Sequence, residues 1–264
     1  MPTSSALPLS LAAWSLHRAF FAGEIDQLGM VRTAGEMGFA GFEMVNTFFP
    51  SPQARYLQKL QETADEAGVR LLLIMCDGEG DMAAADRAER MQAARNHRKW
   101  VDIAAALGCH AIRVNVRGDQ SEPTAMRERA EESFAALVAY AEGEVDVLIE
   151  NHGGLSSDPK WLVSLVRGIG SSHLGTLPDF GNFPAEVDRY QAVTSLMPYA
   201  KSVSAKCYDF GPDGRETTIN FARMMEIVRT AGFVGFVGVE YEGTRLPERD
   251  GIAAAKSLLE TAIR

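Results

Sequence analysis

Eight short apolar runs recur along this chain, each followed by a longer amphipathic stretch, and that alternation constrains the fold more than any other feature. The runs at residues 9–13, 41–45, 70–75, 111–115, 146–150, 174–177, 202–206 and 237–240 have the length and composition of strands. Helical patterns are expected over 25–37, 52–67, 83–107, 123–141, 160–169, 189–196, 220–230 and 251–263. Strands and helices in regular alternation predict a parallel sheet covered by helices. A length of 264 residues suits one closed (β/α)8 barrel of the TIM type, an α/β fold. An open doubly wound sheet is the rival, but it usually carries a glycine-rich phosphate turn after its first strand, and none follows residue 13 here. A weak internal echo supports repeated units. Gly38-Phe39-Ala40-Gly41-Phe42-Glu43 resembles Gly232-Phe233-Val234-Gly235-Phe236, and Ala106-Leu107-Gly108-Cys109-His110 enters a strand in the same way. No linker or low-complexity segment interrupts the pattern, so 1–264 reads as a single domain.

The net charge of −9 argues against a nucleic-acid backbone as partner, since that interaction needs clustered Lys and Arg. Three isolated cysteines, Cys76, Cys109 and Cys207, form no disulfide framework, which favours a cytoplasmic protein. Residues 1–11 have no basic segment leading into a long apolar core, and no run approaches the length of a membrane span.

In such barrels the chemistry sits at the carboxyl ends of the strands. The residues there are Trp14 and His17; Glu43 and Asn46; Cys76, Asp77 and Glu79; Asn115 and Arg117; Glu150 and His152; Asp179 and Asn182; Ser204 and Lys206; Glu240 and Glu242. A single polar strand end means little, because strand ends meet solvent. Glu150, Asp179 and Glu240 are different, for they close three apolar strands of one half-barrel. Unpaired burial of each would be costly, and together they would repel one another. A divalent cation removes that cost, and hard oxygen ligands suit Mn²⁺ or Mg²⁺. The competing explanation is ion pairing to Lys206, Arg117 or Arg113. Alternation along a strand lets Glu150 and His152, Ser204 and Lys206, and Glu240 and Glu242 project the same way. Lys206 either neutralises carboxylates or stabilises an oxyanion. Trp14, Phe20, Phe21, Phe48 and Phe49 either pack a core or wall a sugar site.

The segments Leu9-Ser10-Leu11-Ala12-Ala13-Trp14-Ser15, Ile149-Glu150-Asn151-His152-Gly153-Gly154, Leu177-Pro178-Asp179-Phe180-Gly181-Asn182-Phe183, Val203-Ser204-Ala205-Lys206 and Val239-Glu240-Tyr241-Glu242-Gly243 together resemble the xylose-isomerase-like TIM-barrel superfamily, the sugar phosphate isomerases and epimerases. The resemblance spans nearly the whole chain. It implies a Mn²⁺-type ion, with Mg²⁺ or Co²⁺ as alternatives, held at the ends of strands five to eight by Glu150, Asp179, the residue at 204 and Glu240. The two glutamates would also move protons next to a carbonyl. Two positions depart from the family pattern. Ser204 stands where a histidine is usual, with Lys206 keeping the family lysine, and Asn182 replaces a second histidine. Endonuclease-type relatives need a histidine-rich site that this chain lacks.

The expected function is therefore metal-dependent enolisation of a keto or aldose sugar by an isomerase or epimerase. Glu150, Glu240, Lys206 and His152 would be the catalytic groups, with Trp14, Asn115, Arg117, Asn182 and Glu242 against a small carbohydrate. Two alternatives stay open. One is a lyase eliminating from a 3-keto-sugar or 3-keto-glycoside. The other is a non-catalytic sugar-binding barrel, favoured by Ser204 and Asn182. Relatives often pair, so a homo-oligomer is an expectation of the resemblance.

Overall fold

The computed structural model describes residues 7–141 and 143–262. Eight parallel strands form one curled sheet: β1 (Leu9–Ala12), β2 (Gly41–Val45), β3 (Arg70–Cys76), β4 (Ala111–Val114), β5 (Asp146–Glu150), β6 (Leu174–Leu177), β7 (Val203–Cys207) and β8 (Val237–Tyr241). Their order is β6-β5-β4-β3-β2-β1-β8-β7, so the first and last strands of the sequence pair with each other. The seam between β6 and β7 is closed just past the end of β6. There Ser204 N donates to Pro178 O at 2.9 Å and Phe180 N donates to Ser204 O at 3.0 Å, and within β6 itself Thr176 O accepts from Lys201 N at 3.1 Å. This seam sets Asp179 beside Ser204.

Nine α-helices surround the strands among the described residues: α1 (His17–Phe21), α2 (Gln27–Glu36), α3 (Ala54–Ala67), α4 (Arg87–Ala106), α5 (Pro123–Ala141), α6 (Pro159–Ile169), α7 (Arg189–Leu196), α8 (Phe221–Thr230) and α9 (Glu248–Ala262). Their starts are chemically marked. Asp26, Asp86, Asp158, Asp188 and Asn220 each precede a helix and accept a hydrogen bond from its first-turn backbone N–H groups. Gly68 and Gly170 end α3 and α6 in the left-handed conformation that glycine adopts without strain. The core lies between the outer strand faces and the helices, with Leu60, Phe134, Leu162, Met224 and Leu259 fully buried.

The barrel is the one expected, with boundaries shifted by a few residues. The helix expected from 83 begins at Arg87, because Ala83 N is held by Arg117 O and Asp86 supplies the cap. The helix expected over 251–263 starts earlier, at Glu248, and residue 263 lies outside the described residues, as do 1–6 of the amino-terminal stretch. The short helix α1 was not anticipated; its five residues are too few to show a helical period. No described helix is long and apolar enough to cross a membrane.

Candidate metal centre

The strand order brings β5, β6, β7 and β8 together on one side of the barrel mouth; Glu150 ends β5, Asp179 follows β6, Glu240 lies in β8, and β7 contributes Ser204 and Lys206. Oxygen atoms of Glu150, Asp179 and Glu240 lie within 4.8 Å of one another, and all three residues are buried. Asp179 is rigidly held. Asn151 grips its backbone from both sides, with Asp179 N donating to Asn151 Oδ1 at 2.7 Å and Asn151 Nδ2 donating to Asp179 O at 3.0 Å. Its Oδ1 accepts from the backbone N–H of Gly181 and of Asn182, both at 2.7 Å. The same device recurs after β2, where Asn46 grips the backbone of Asp77 in the same two-way fashion.

Ser204 does not replace a histidine as a strong ligand, but it lies between two of the acids. Its Oγ is 2.8 Å from Asp179 Oδ2 and 3.0 Å from Glu240 Oε2. One hydroxyl carries one proton, so it can serve only one of these oxygens as donor. The other meets a lone pair, and a cation or a further proton is needed between them. Burial, opposed by Lys206 and Arg113 and reinforced by the neighbouring acids, pushes the carboxyls of Glu150 and Asp179 above the usual carboxylate range. Three buried oxygen donors, a shared hydroxyl and uncompensated repulsion fit a hard divalent cation. Glu150, Asp179 and Glu240 would hold it, with Ser204 alongside.

Two of the three cations named as rivals to a metal do pair with these acids. Lys206 Nζ lies 3.4 Å from Glu240, 3.5 Å from Glu242 and 3.9 Å from Asp179. Burial disfavours its charge, but the surrounding carboxylates outweigh this and hold the ammonium well above its ordinary pKa. Arg113 is buried, with Nη1 donating to Asp77 Oδ1 at 2.8 Å and Nε 2.9 Å from Glu150 Oε2. That Nε–H is not aimed at the oxygen, so the contact is Coulombic rather than a formed hydrogen bond. Arg117 pairs with no carboxylate among the described residues. Three cations, Lys206 and Arg113 paired and Arg117 unpaired, thus face five carboxylates (Asp77, Glu150, Asp179, Glu240 and Glu242), which leaves room for a divalent ion.

Asn182, at the place of the second family histidine, links the two halves of the site. Lys206 Nζ donates to its Oδ1 at 3.2 Å, and its Nδ2 donates to Glu150 Oε1 at 2.9 Å. Glu240, alone of the three acids, lines a cavity of 370 Å³, together with Trp14, Arg113, Arg117, His152, Asn182, Lys206 and Glu242, and with Asp77, Val45 and Met75. His152 stands exposed at the rim. Desolvation, with the Arg113 and Lys206 charges, holds its imidazole below the usual histidine value, so the ring is neutral at pH 7. Trp14 stacks on Phe48 at 5.8 Å between ring centres. Asn115 does not reach this cavity. It lines a neighbouring one of 300 Å³ and donates to Asp77 Oδ1 at 2.8 Å. A larger hollow of 640 Å³ lies elsewhere, beside Tyr190 and Leu258; its carboxylate, Glu216, is already bound by the backbone N–H groups of Thr218 and Ile219.

Two groups escaped the sequence reading. Arg113 counted only as a rival partner, although an arginine between Ile112 and Val114 in an apolar strand was the available signal. Glu43 sits inside the barrel, where Ser10 Oγ donates to its Oε1 at 2.6 Å while Oε2 has no partner. A side chain at Gly238 would collide with that carboxyl, its Cβ falling 2.4 Å from Oε1, so glycine on β8 makes room for it.

The sequence model of the xylose isomerase-like TIM barrel family matches residues 31–262. The chain belongs to that family. A human relative named "Putative hydroxypyruvate isomerase" is 24% identical over 238 residues, covering 80% of this chain and 82% of the relative. Among solved structures, D-psicose 3-epimerase with D-tagatose from Clostridium cellulolyticum H10 superposes with a TM-score of 0.78 at 16% identity, over 98% of this chain and 100% of the epimerase. The IolI protein with a bound zinc atom superposes with a TM-score of 0.78 at 13% identity, over 97% of this chain and 98% of that protein. At such identities these likenesses are of fold. The buried acids of β5, of the turn after β6 and of β8 form a set that could hold a divalent metal.

Proposed function

We propose that this chain is a divalent-metal-dependent isomerase or epimerase that enolises a small keto or aldose sugar. The observation that carries the reading is the convergence of the buried Glu150, Asp179 and Glu240, of which Glu240 also lines a polar cavity. Mn²⁺ is the proposed ion. When bound, it acts as a Lewis acid that polarises the substrate carbonyl and acidifies the neighbouring carbon.

The protein's own groups do the remaining work. Glu150 or Glu240 removes the proton next to the carbonyl, and the other returns one. Asp179, held by Asn151 and two backbone N–H groups, is fixed as a ligand and does not move protons. Lys206 presents an ammonium where negative charge develops on oxygen. Asn182 bridges Lys206 and Glu150 through hydrogen bonds to both. Neutral His152 and Glu242 meet substrate hydroxyls at the rim, and Trp14 supplies an apolar wall.

The test is exchange of the substrate's α-proton with solvent deuterium, followed by NMR with a panel of keto sugars and Mn²⁺. Wild type exchanges, and Glu240→Gln abolishes exchange while keeping its circular dichroism spectrum. Exchange retained in the folded variant refutes the role given to Glu240.

A further inference from the structure

The 300 Å³ cavity between the loop after β3 and helix α4 has no part in the chemistry proposed above. It shares Arg117 with the 370 Å³ cavity, and Asp77, which lines the first, is flanked in sequence by Cys76 and Gly78, which line the second; the two are neighbours. Gly80 lets the loop lie against α4, because a Cβ there would fall 3.0 Å from that of Ala93. His97 of α4 lines this second cavity and is 2% exposed. Its Nδ1 lies 2.8 Å from Ala93 O, one turn back along the helix. A carbonyl oxygen only accepts, so Nδ1 carries the proton. Burial outweighs that bond and the charge of Glu79, and holds the imidazole below the usual histidine value, so the ring is neutral at pH 7. Nε2 is therefore a lone-pair acceptor. It has no partner among the described residues, yet it is not among the polar atoms sealed off inside the protein. A fixed tautomer on an enclosed side chain thus turns one acceptor toward the cavity.

The charges around this cavity are balanced. Lys99 Nζ lies 2.9 Å from Glu79 Oε1, and the positive charge of Arg117 acts on Asp81. A charged guest would find no free counter-charge, whereas a neutral group rich in O–H donors would suit the histidine acceptor. The volume is at the lower end of ligand-sized sites, which begin at about 300 Å³, and suits one sugar ring. Resting on the enolisation reading, we propose that this cavity is a second subsite and that the substrate has two units. A keto sugar occupies the first cavity, and a neutral, hydroxyl-bearing unit linked to it occupies the second, where one hydroxyl donates to His97 Nε2. Arg117, common to both cavities, offers N–H donors to the oxygen that joins the units.

The test is calorimetric binding to the full chain supplied with Mn²⁺, using D-fructose and three ketose disaccharides in which a second sugar is joined to fructose by different bonds: turanose, lactulose and isomaltulose. At least one disaccharide is expected to bind about tenfold tighter than fructose, the scale of one or two net hydrogen bonds. In His97→Leu that advantage falls to about twofold or less while fructose binds as before, and His97→Gln, which keeps an acceptor, retains part of it. Nitrogen NMR of the wild-type histidine rings, with Mg²⁺ as the ion, gives the same answer without a substitution: the favoured disaccharide moves the His97 Nε2 resonance and fructose does not. The proposal is overturned if no disaccharide outbinds fructose, if the advantage survives in folded His97→Leu, if that variant weakens fructose by the same factor, or if the His97 resonance stays unmoved. Binding is read without turnover. Absence of deuterium exchange with all four sugars would count against the enolisation reading alone, and exchange of fructose with no gain from a second unit would count against the subsite alone.

Discussion

Replacing Glu43 with glutamine is expected to stabilise the protein, with a gain that grows between about pH 4.5 and pH 7 and is full above that window. Glu43 is 1% exposed and has one hydrogen-bond donor, Ser10. Burial is the largest influence on its carboxyl, the fields of Glu240 and Glu150 add to it, and Ser10 and Arg113 oppose it; the result is a pKa raised from 4.5 to about 7. In the folded state the carboxyl therefore binds its proton more tightly than in the unfolded chain. Between those two values the unfolded state loses the proton first, so stability falls as pH rises through the window and levels off above it. The gap from 4.5 to about 7, at about 1.4 kcal/mol per unit, places the loss near 3 kcal/mol at pH 8 and below about 1 kcal/mol at pH 5. Glutamine keeps the acceptor for Ser10 and cannot ionise. At pH 8 the variant should melt roughly 6–12 °C above wild type, from about 2–4 °C per kcal/mol for a domain of this size. Urea unfolding at pH 5 and pH 8 measures both ends. An equal gain at the two pH values, or a less stable variant at pH 8, would refute the reasoning.

Arg113→Leu strips a buried cation from Asp77 and Glu150, which should cost about 3–5 kcal/mol in urea unfolding at pH 7. Added Mn²⁺ should recover part of this loss, because a cation at Glu150 replaces the lost charge, and a variant as stable as wild type without metal would contradict the pairing. Ser204→His places an imidazole between Asp179 and Glu240, where it should tighten Mn²⁺ binding about tenfold or more, the scale on which even supporting groups change metal affinity; unchanged affinity would show that position 204 does not face the ion.

Much of this was legible in the sequence because strand ends announce themselves. Glu150 and Glu240 end apolar runs, and Asp179 follows Pro178, so topology alone sends all three to one rim. The helices with clear caps, such as α7 behind Asp188, fell where expected. What was hidden depends on packing across the barrel. Glu43 looked like one more polar strand end; only the pairing of Ser10 with Gly238 across β1 and β8 shows that its carboxyl is sealed inside. Arg113 has no acidic neighbour in sequence, and its partners come from just past β3 and from β5. Asn115 was expected at the mouth, but its bond to Asp77 places it in the adjoining cavity.

The central claim is that Glu150, Asp179 and Glu240 form a divalent-metal site despite the serine at 204. Calorimetric titration of metal-stripped protein with Mn²⁺ tests it most directly, with Asp179→Asn as the comparison. The account predicts saturable uptake of one ion per chain by wild type and loss of that uptake in the folded variant. No saturable binding by wild type, or the same binding in Asp179→Asn, would contradict it.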